Sequence, residues 1–145
     1  MSTTTTTFAG RPALRFERHL AHPVPTVWRA VTEPDRLSGW YPLRVTAFEP
    51  RVGGRIVFDD GEGTVLRGTV TDWDPPRLFA FDEHADPAGR PAPERDDHLR
   101  IELTDEPGGC LLVLVHVPAD PATAEGASRG WQACLAQLVT ELAAG

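Results

Sequence analysis

Three histidines, His84, His98 and His116, are the side chains best suited to proton transfer or metal ligation near neutral pH. Asp82 and Glu83 precede the first of them, so five groups could in principle gather around an ion. Zinc sites normally show tighter local spacing, such as HExxH, and none is present. No metal site is therefore expected, and the histidines read as strand-end residues facing solvent. Nucleophilic chemistry has less support still. Ser2, Ser38 and Ser128 lack a GxSxG-type setting, and Cys110 and Cys134 stand neither at a helix start nor beside a cation. "RVGGR" has neither the lysine nor the following helix of a phosphate loop, and reads as a turn. Asp82, Glu83, Asp86, Glu94, Asp96 and Asp97 lack EF-hand spacing and read as a solvated face. These motifs assign no catalytic residue and no cofactor.

The aromatic residues are better candidates, for binding. Trp40 and Tyr41 are adjacent, between the Gly39 and Pro42 breaks of "EPDRLSGWYPL". Large rings at such a break either close a core or line the mouth of a pocket. There the indole N–H and phenol O–H can meet the polar end of a ligand. Trp28 belongs to a helical apolar stripe and reads as core. Trp73 ends a strand with its face undetermined, and Trp131 points by spacing from a long helix toward a sheet.

Composition narrows the classes of function. The chain has 145 residues, 41% apolar and 24% charged, the balance of one globular domain. Its net charge of −7 opposes nucleic acid and anionic membrane as partners. All basic residues are arginine, which excludes lysine Schiff-base catalysis. "CLLVLVHVP", the longest apolar run, is too short to span a bilayer, and "MSTTTTTFAG" has no signal-peptide pattern. With two widely separated cysteines read as free thiols, a cytoplasmic location is expected. Residues 1–12 read as a flexible tail, with a single domain over 13–145.

The elements that must position these residues follow from periodicity. "LRFERHL" alternates as a half-buried strand with one irregularity. Val24, Val27, Trp28 and Val31 recur at helical spacing, and Pro34 stops that helix before a second short one ending at Gly39. Between 44 and 117 the pattern predicts about six strands separated by Gly- and Pro-rich turns, with a long acidic loop at 85–97. Asp120 and Pro121 open a helix over 121–143, whose stripe is Ala127, Trp131, Cys134, Leu135, Leu138 and Leu142. Gly126 and Gly130 interrupt it, suggesting a close crossing or room for a ligand.

This order resembles the START-like superfamily, and more narrowly the stand-alone bacterial members of the family named for the activator of heat-shock-protein ATPase. The matching stretches are "PVPTVWRAVTEPDRLSGWYP", "EPRVGGRIVF", "GTVTDWDPPRLFAF" and "RGWQACLAQLVTEL". The resemblance implies an α+β helix-grip fold: a curved, mostly antiparallel sheet around a long C-terminal helix, with two short helices after the first strand. Members of the superfamily bind lipids, steroids or polyketides, or cyclise polyketides. It also implies that Cys110, Leu112, Leu114 and His116 face the gripped helix. His116 would then either meet a ligand at a cavity rim or bond to backbone as a core residue. The opposite parity, Leu111, Val113, Val115 and Val117, needs cover from a second copy of the chain or from the N-terminal segment.

The expected function is binding of a small hydrophobic molecule in a cavity between sheet and helix. The expected wall is Ile56, Phe58, Val70, Phe79, Phe81, Ile101, Leu112, Leu114, Trp131, Leu135 and Leu138. Trp40, Tyr41 and His116 would supply polar contacts near the opening, and Gly68 spare room. One alternative is a cyclase- or aromatase-like enzyme using His116 and Tyr41 as acid/base groups. The other is a cochaperone-type interaction module, which would need an exposed apolar patch and would suit a filled interior.

Overall fold

Alternation along seven of the strands places large apolar side chains on one face, and that face must be covered. The computed structural model describes residues 2–86 and 88–144. Met1, Pro87 and Gly145, within the expected tail, loop and domain, lie outside the described residues. The elements run β1 (Ser2–Phe8), β2 (Arg11–Leu20), α1 (Val24–Thr32), α2 (Pro34–Trp40), β3 (Arg44–Phe48), β4 (Arg55–Asp59), β5 (Val65–Asp74), β6 (Leu78–Glu83), β7 (Asp97–Glu106), β8 (Gly109–Val117) and α3 (Ala124–Ala144). The strands form one antiparallel sheet in the order β1-β2-β8-β7-β6-β5-β4-β3. α3 packs against β2, α1 and α2. Its buried stripe is Trp131, Leu135, Leu138 and Leu142. This is the helix-grip arrangement.

The expected tail is instead a strand. Ser2–Phe8 pairs with β2 through a two-residue turn, Ala9–Gly10, with φ of 51° and 80°. Positive φ at both turn positions matches the right-handed twist of the flanking strands. β-Branched threonines suit an edge strand, although a run of identical residues shows no alternation to reveal it. Phe8 stacks on His98 on the outer face, with ring centroids 5.2 Å apart. The N-terminal segment thus covers one end of the outward parity of β8. Val113 and Val115 are flanked in register by Glu17 and Arg15 on β2, and by Glu102 and Arg100 on β7. Long arginine stems can shield such valines while their charged ends stay in water.

Two expectations about glycine are corrected. Gly68 provides no spare room: a Cβ there would lie 2.5 Å from the Asp82 carbonyl oxygen and 3.0 Å from Ile56. At Gly126 and Gly130 a Cβ would meet no heavy atom within 4 Å beyond the adjacent residues and the helix's own backbone, so no close crossing requires them. Gly126→Ala and Gly130→Ala are therefore each expected to stabilise the fold by about 1 kcal/mol, measured by urea unfolding. An unchanged or lower midpoint would show that α3 needs those glycines for another reason. The helix also starts differently, as a 3-10 turn, Pro121–Thr123, with the Asp120 side chain accepting from the Ala122 N–H.

Candidate functional site

Trp40 and Tyr41 are separated by the end of α2. Trp40 is the last helical residue and Tyr41 is extended, with φ −70° and ψ 148°, so the two rings leave the chain in different directions. Trp40 is 2% exposed, and its indole N–H donates to the Ala30 carbonyl at 2.9 Å. In a continuing helix that carbonyl would accept from residue 34, but Pro34 has no N–H to give. The indole fills the vacancy. Trp40 is thus a capping residue in the core, not a residue of the cavity mouth as expected. Tyr41 stacks on Phe58 at 5.0 Å and lies 5.6 Å from Trp131 and 6.3 Å from Phe81, by ring centroids.

The interior below Tyr41 is filled. Ile56, Phe58, Val70, Phe79, Ile101, Leu112, Leu114, Leu135 and Leu138 are all buried, and none lines the pocket that opens beside Tyr41. Phe58, Phe79 and Phe81 pack in a column with centroids 5.5 Å apart. Trp73 joins the same face, 5.7 Å from Phe79 and 5.2 Å from Trp28. A register shift between Val70 and Asp72 turns Trp73 inward although it is three residues from inward Val70.

The pocket itself, about 280 Å³, is lined by Tyr41, Pro42, Leu43, Phe81, Glu83, Asp97, Leu99, His116 and Trp131. Of the expected site residues it gathers Tyr41, Phe81, His116 and Trp131. Larger open concavities, about 530 Å³ within the 85–96 loop and about 420 Å³ on the outer face beside Phe8, share no lining residue with it.

His116 is held from both sides. The Trp131 indole N–H donates to its Nδ1 at 3.0 Å, and its Nε2 lies 2.8 Å from Asp97 Oδ2. An indole can only donate, so Nδ1 accepts and the ring proton sits on Nε2, donated to Asp97. Asp97 Oδ1 in turn accepts from the Ala119 N–H. These bonds tie α3, β8 and β7 together and leave the imidazole with no free nitrogen. The other histidines also differ from expectation. His84 bonds to Asp96 at 2.7 Å and Thr69 at 2.8 Å, and His98 bonds to Asp82 at 2.8 Å; both rings are buried. Among the described residues no three His, Cys, Asp or Glu side chains converge as metal ligands.

The acidic stretch is not a uniformly solvated face. Asp96 is 1% exposed and pins the loop by accepting from the Ala92 and Ala85 N–H groups. Burial pushes its carboxyl up, but the Ala92, His84 and Ala85 bonds outweigh it and leave the group below its ordinary value. Glu83 and Asp97 face each other in register across β6 and β7. Burial raises the Glu83 carboxyl from 4.5 to about 7, with further upward pressure from Asp97, against His116 and His84. Burial likewise holds the Tyr41 hydroxyl well above its usual value, assisted by Glu83, Asp97 and Cys134. Tyr41 therefore remains a donor at neutral pH. Among the described residues, neither the Tyr41 hydroxyl nor the Glu83 carboxyl has a hydrogen-bonding partner. Parity could have found Glu83 and Asp97: they continue the inward sets of Phe79 and Phe81, and of Leu99 and Ile101.

Solved structures share this architecture. A Mesorhizobium loti protein, MLL2253, is 26% identical, with a TM-score of 0.73 over 88% of this chain and 94% of that one. CV1439 from Chromobacterium violaceum is 27% identical, with a TM-score of 0.70 over 90% and 96%. CalU16 from Micromonospora echinospora, 22% identical, has a TM-score of 0.75 over 97% and 83%, a likeness of fold. No curated protein matches the sequence. No helix among the described residues is long and apolar enough to cross a membrane. The family described as Activator of Hsp90 ATPase homolog 1-like protein matches residues 21–143, and with the helix-grip sheet around α3 this places the chain in that family.

Proposed function

We propose that this chain binds a small molecule with an apolar body and one polar end in the pocket beside Tyr41. The observation that carries the reading is the pairing of an apolar wall with two unpartnered polar groups. Phe81, Leu99 and Trp131 form much of the wall, while the Tyr41 hydroxyl and Glu83 carboxyl lack protein partners. Neither group is sealed in the core: both open onto the pocket, where an entering ligand can bond to them. At about 280 Å³ the pocket suits a one-ring molecule rather than a steroid or long polyketide, since the core below it is packed.

Neither alternative has comparable support. The acid/base enzyme reading needs an available nitrogen on His116, and both are engaged. The interaction-module reading gains from the filled interior, but it needs a contiguous exposed patch. Among the described residues the exposed large apolar ones, Val52, Val65 and Val139, lie on the β3–β4 loop, β5 and α3.

A titration with 2-phenylethanol tests the proposal. Binding should change the tryptophan emission, and Trp131→Phe should abolish most of that change because Trp131 lines the pocket. Trp40→Phe should leave it, since Trp40 caps α1. Tyr41→Phe should weaken binding by about 0.5–1.5 kcal/mol through loss of one hydrogen bond. A response that survives Trp131→Phe, or no binding by calorimetry, would overturn the proposal. Native mass spectrometry of protein purified from its own host would show a retained ligand directly.

A further inference from the structure

The nine residues lining the pocket include two carboxylates, Glu83 and Asp97, and no arginine. His116 has no free nitrogen to offer, because the Trp131 indole donates to its Nδ1 and its Nε2 lies 2.8 Å from Asp97 Oδ2. Tyr41 is 8% exposed, and its ring lies 5.6 Å from Trp131 and 6.3 Å from Phe81. Three aromatic rings and two acids among the lining residues form an environment that favours a positive charge over a negative one. We propose that the molecule bound here is an organic cation, a small primary or quaternary ammonium on an apolar body, held by the Tyr41, Phe81 and Trp131 rings and by the Glu83 carboxylate. The inference rests on the pocket reading above and adds the charge of the ligand.

The roles divide by geometry. Asp97 already accepts from His116 and from the Ala119 N–H, so its charge acts through space. Glu83 has no such partner and is the acid free to take an ammonium hydrogen bond. An anionic ligand of the same size would bring a third negative charge to a site with no arginine or lysine among its lining residues. The groups facing Glu83 are Asp97 on β7, His116 on β8, Tyr41 after α2 and His84 next along the chain. From β5 the residue opposite is Gly68, without a side chain, and α3 contributes Trp131 and, acting on Tyr41, Cys134. Without ligand Glu83 is half-protonated near pH 7. A cation favours the ionised form, so its binding should strengthen from pH 5.5 to pH 8 and release a proton near neutrality.

Calorimetric titration of the full chain with 2-phenylethylamine, 2-phenylethanol and phenylacetate at pH 8 tests this, since the three share a ring and differ in charge. The amine should bind about tenfold more tightly than the alcohol, and phenylacetate should not bind measurably. Glu83→Gln should bring the amine to the level of the alcohol. For the unaltered protein the amine's advantage should shrink at pH 5.5, a readout that needs no variant and in which the amine itself stays protonated. Benzyltrimethylammonium, which cannot titrate, should show the same pH trend. If the alcohol binds as tightly as the amine, or Glu83→Gln keeps the preference, the cation inference falls and the pocket reading stands. Binding of none of the three overturns both.

Discussion

Replacing Leu138 with alanine is expected to lower the unfolding free energy by about 2–5 kcal/mol. Leu138 is 1% exposed, in the middle of the α3 stripe between Leu135 and Leu142. Truncation removes apolar surface from the core and leaves a cavity that its close-packed neighbours can only partly fill. For a domain of this size that loss corresponds to a melting temperature lower by roughly 6–15 °C. Thermal and urea unfolding followed by circular dichroism measure it. An unmoved transition would mean that Leu138 does not face the sheet and that the grip of sheet on helix is wrong.

The second large effect is a gain. Glu83→Gln is expected to stabilise the protein at pH 8, by an amount on the order of 3 kcal/mol at most. The Glu83 carboxyl binds its proton more tightly folded than unfolded, about 7 against an ordinary 4.5. Below pH 4.5 it is protonated in both states and costs nothing. Between 4.5 and 7 the unfolded chain ionises while the folded one does not, so stability falls as pH rises. Above 7 the folded state carries a partly buried carboxylate opposite Asp97, and the cost is at its full value. Glutamine keeps the size and loses the charge, so the curves for the two proteins should meet near pH 4 and separate up to about pH 8. Parallel curves would show that Glu83 is solvated and that the pocket does not desolvate it. Asp96 works in the opposite sense. Its carboxyl sits below its ordinary value, so the stability it contributes is present above that value and is lost as acid protonates it.

Some of this was written locally. Alternation in residues 14–20 and 98–103, helical spacing in Val24–Val31 and along Trp131–Leu142, and the Gly and Pro stops specify elements and their inward faces, whereas 110–117 is apolar on both parities and its inward face came from the family resemblance. An apolar face demands cover, so the layering of α3 on the sheet follows from those periods alone. The Trp40 cap was also legible, though not obvious, because Pro34 leaves the Ala30 carbonyl without its helical donor. The N-terminal strand was hidden, since a run of threonines has no period and its strand character depends on β2 lying alongside.

The pocket belongs to the other class. Whether Phe58 and Phe79 line an open cavity or fill it depends on how far the sheet curves toward α3. That distance is set by packing across elements far apart in sequence. Glu83 and Asp97 look alike in sequence to Asp86 and Glu94, yet the strand register brings the first two together in the pocket beside Tyr41 and leaves Glu94 in water. The proton on His116 is likewise decided only where Trp131 of α3 meets β8. Sequence determines which face each side chain is on, because the strand and helix periods are local. Only the tertiary structure decides which faces close completely and which polar groups are left without a partner, because closure and desolvation depend on surfaces meeting at a distance along the chain.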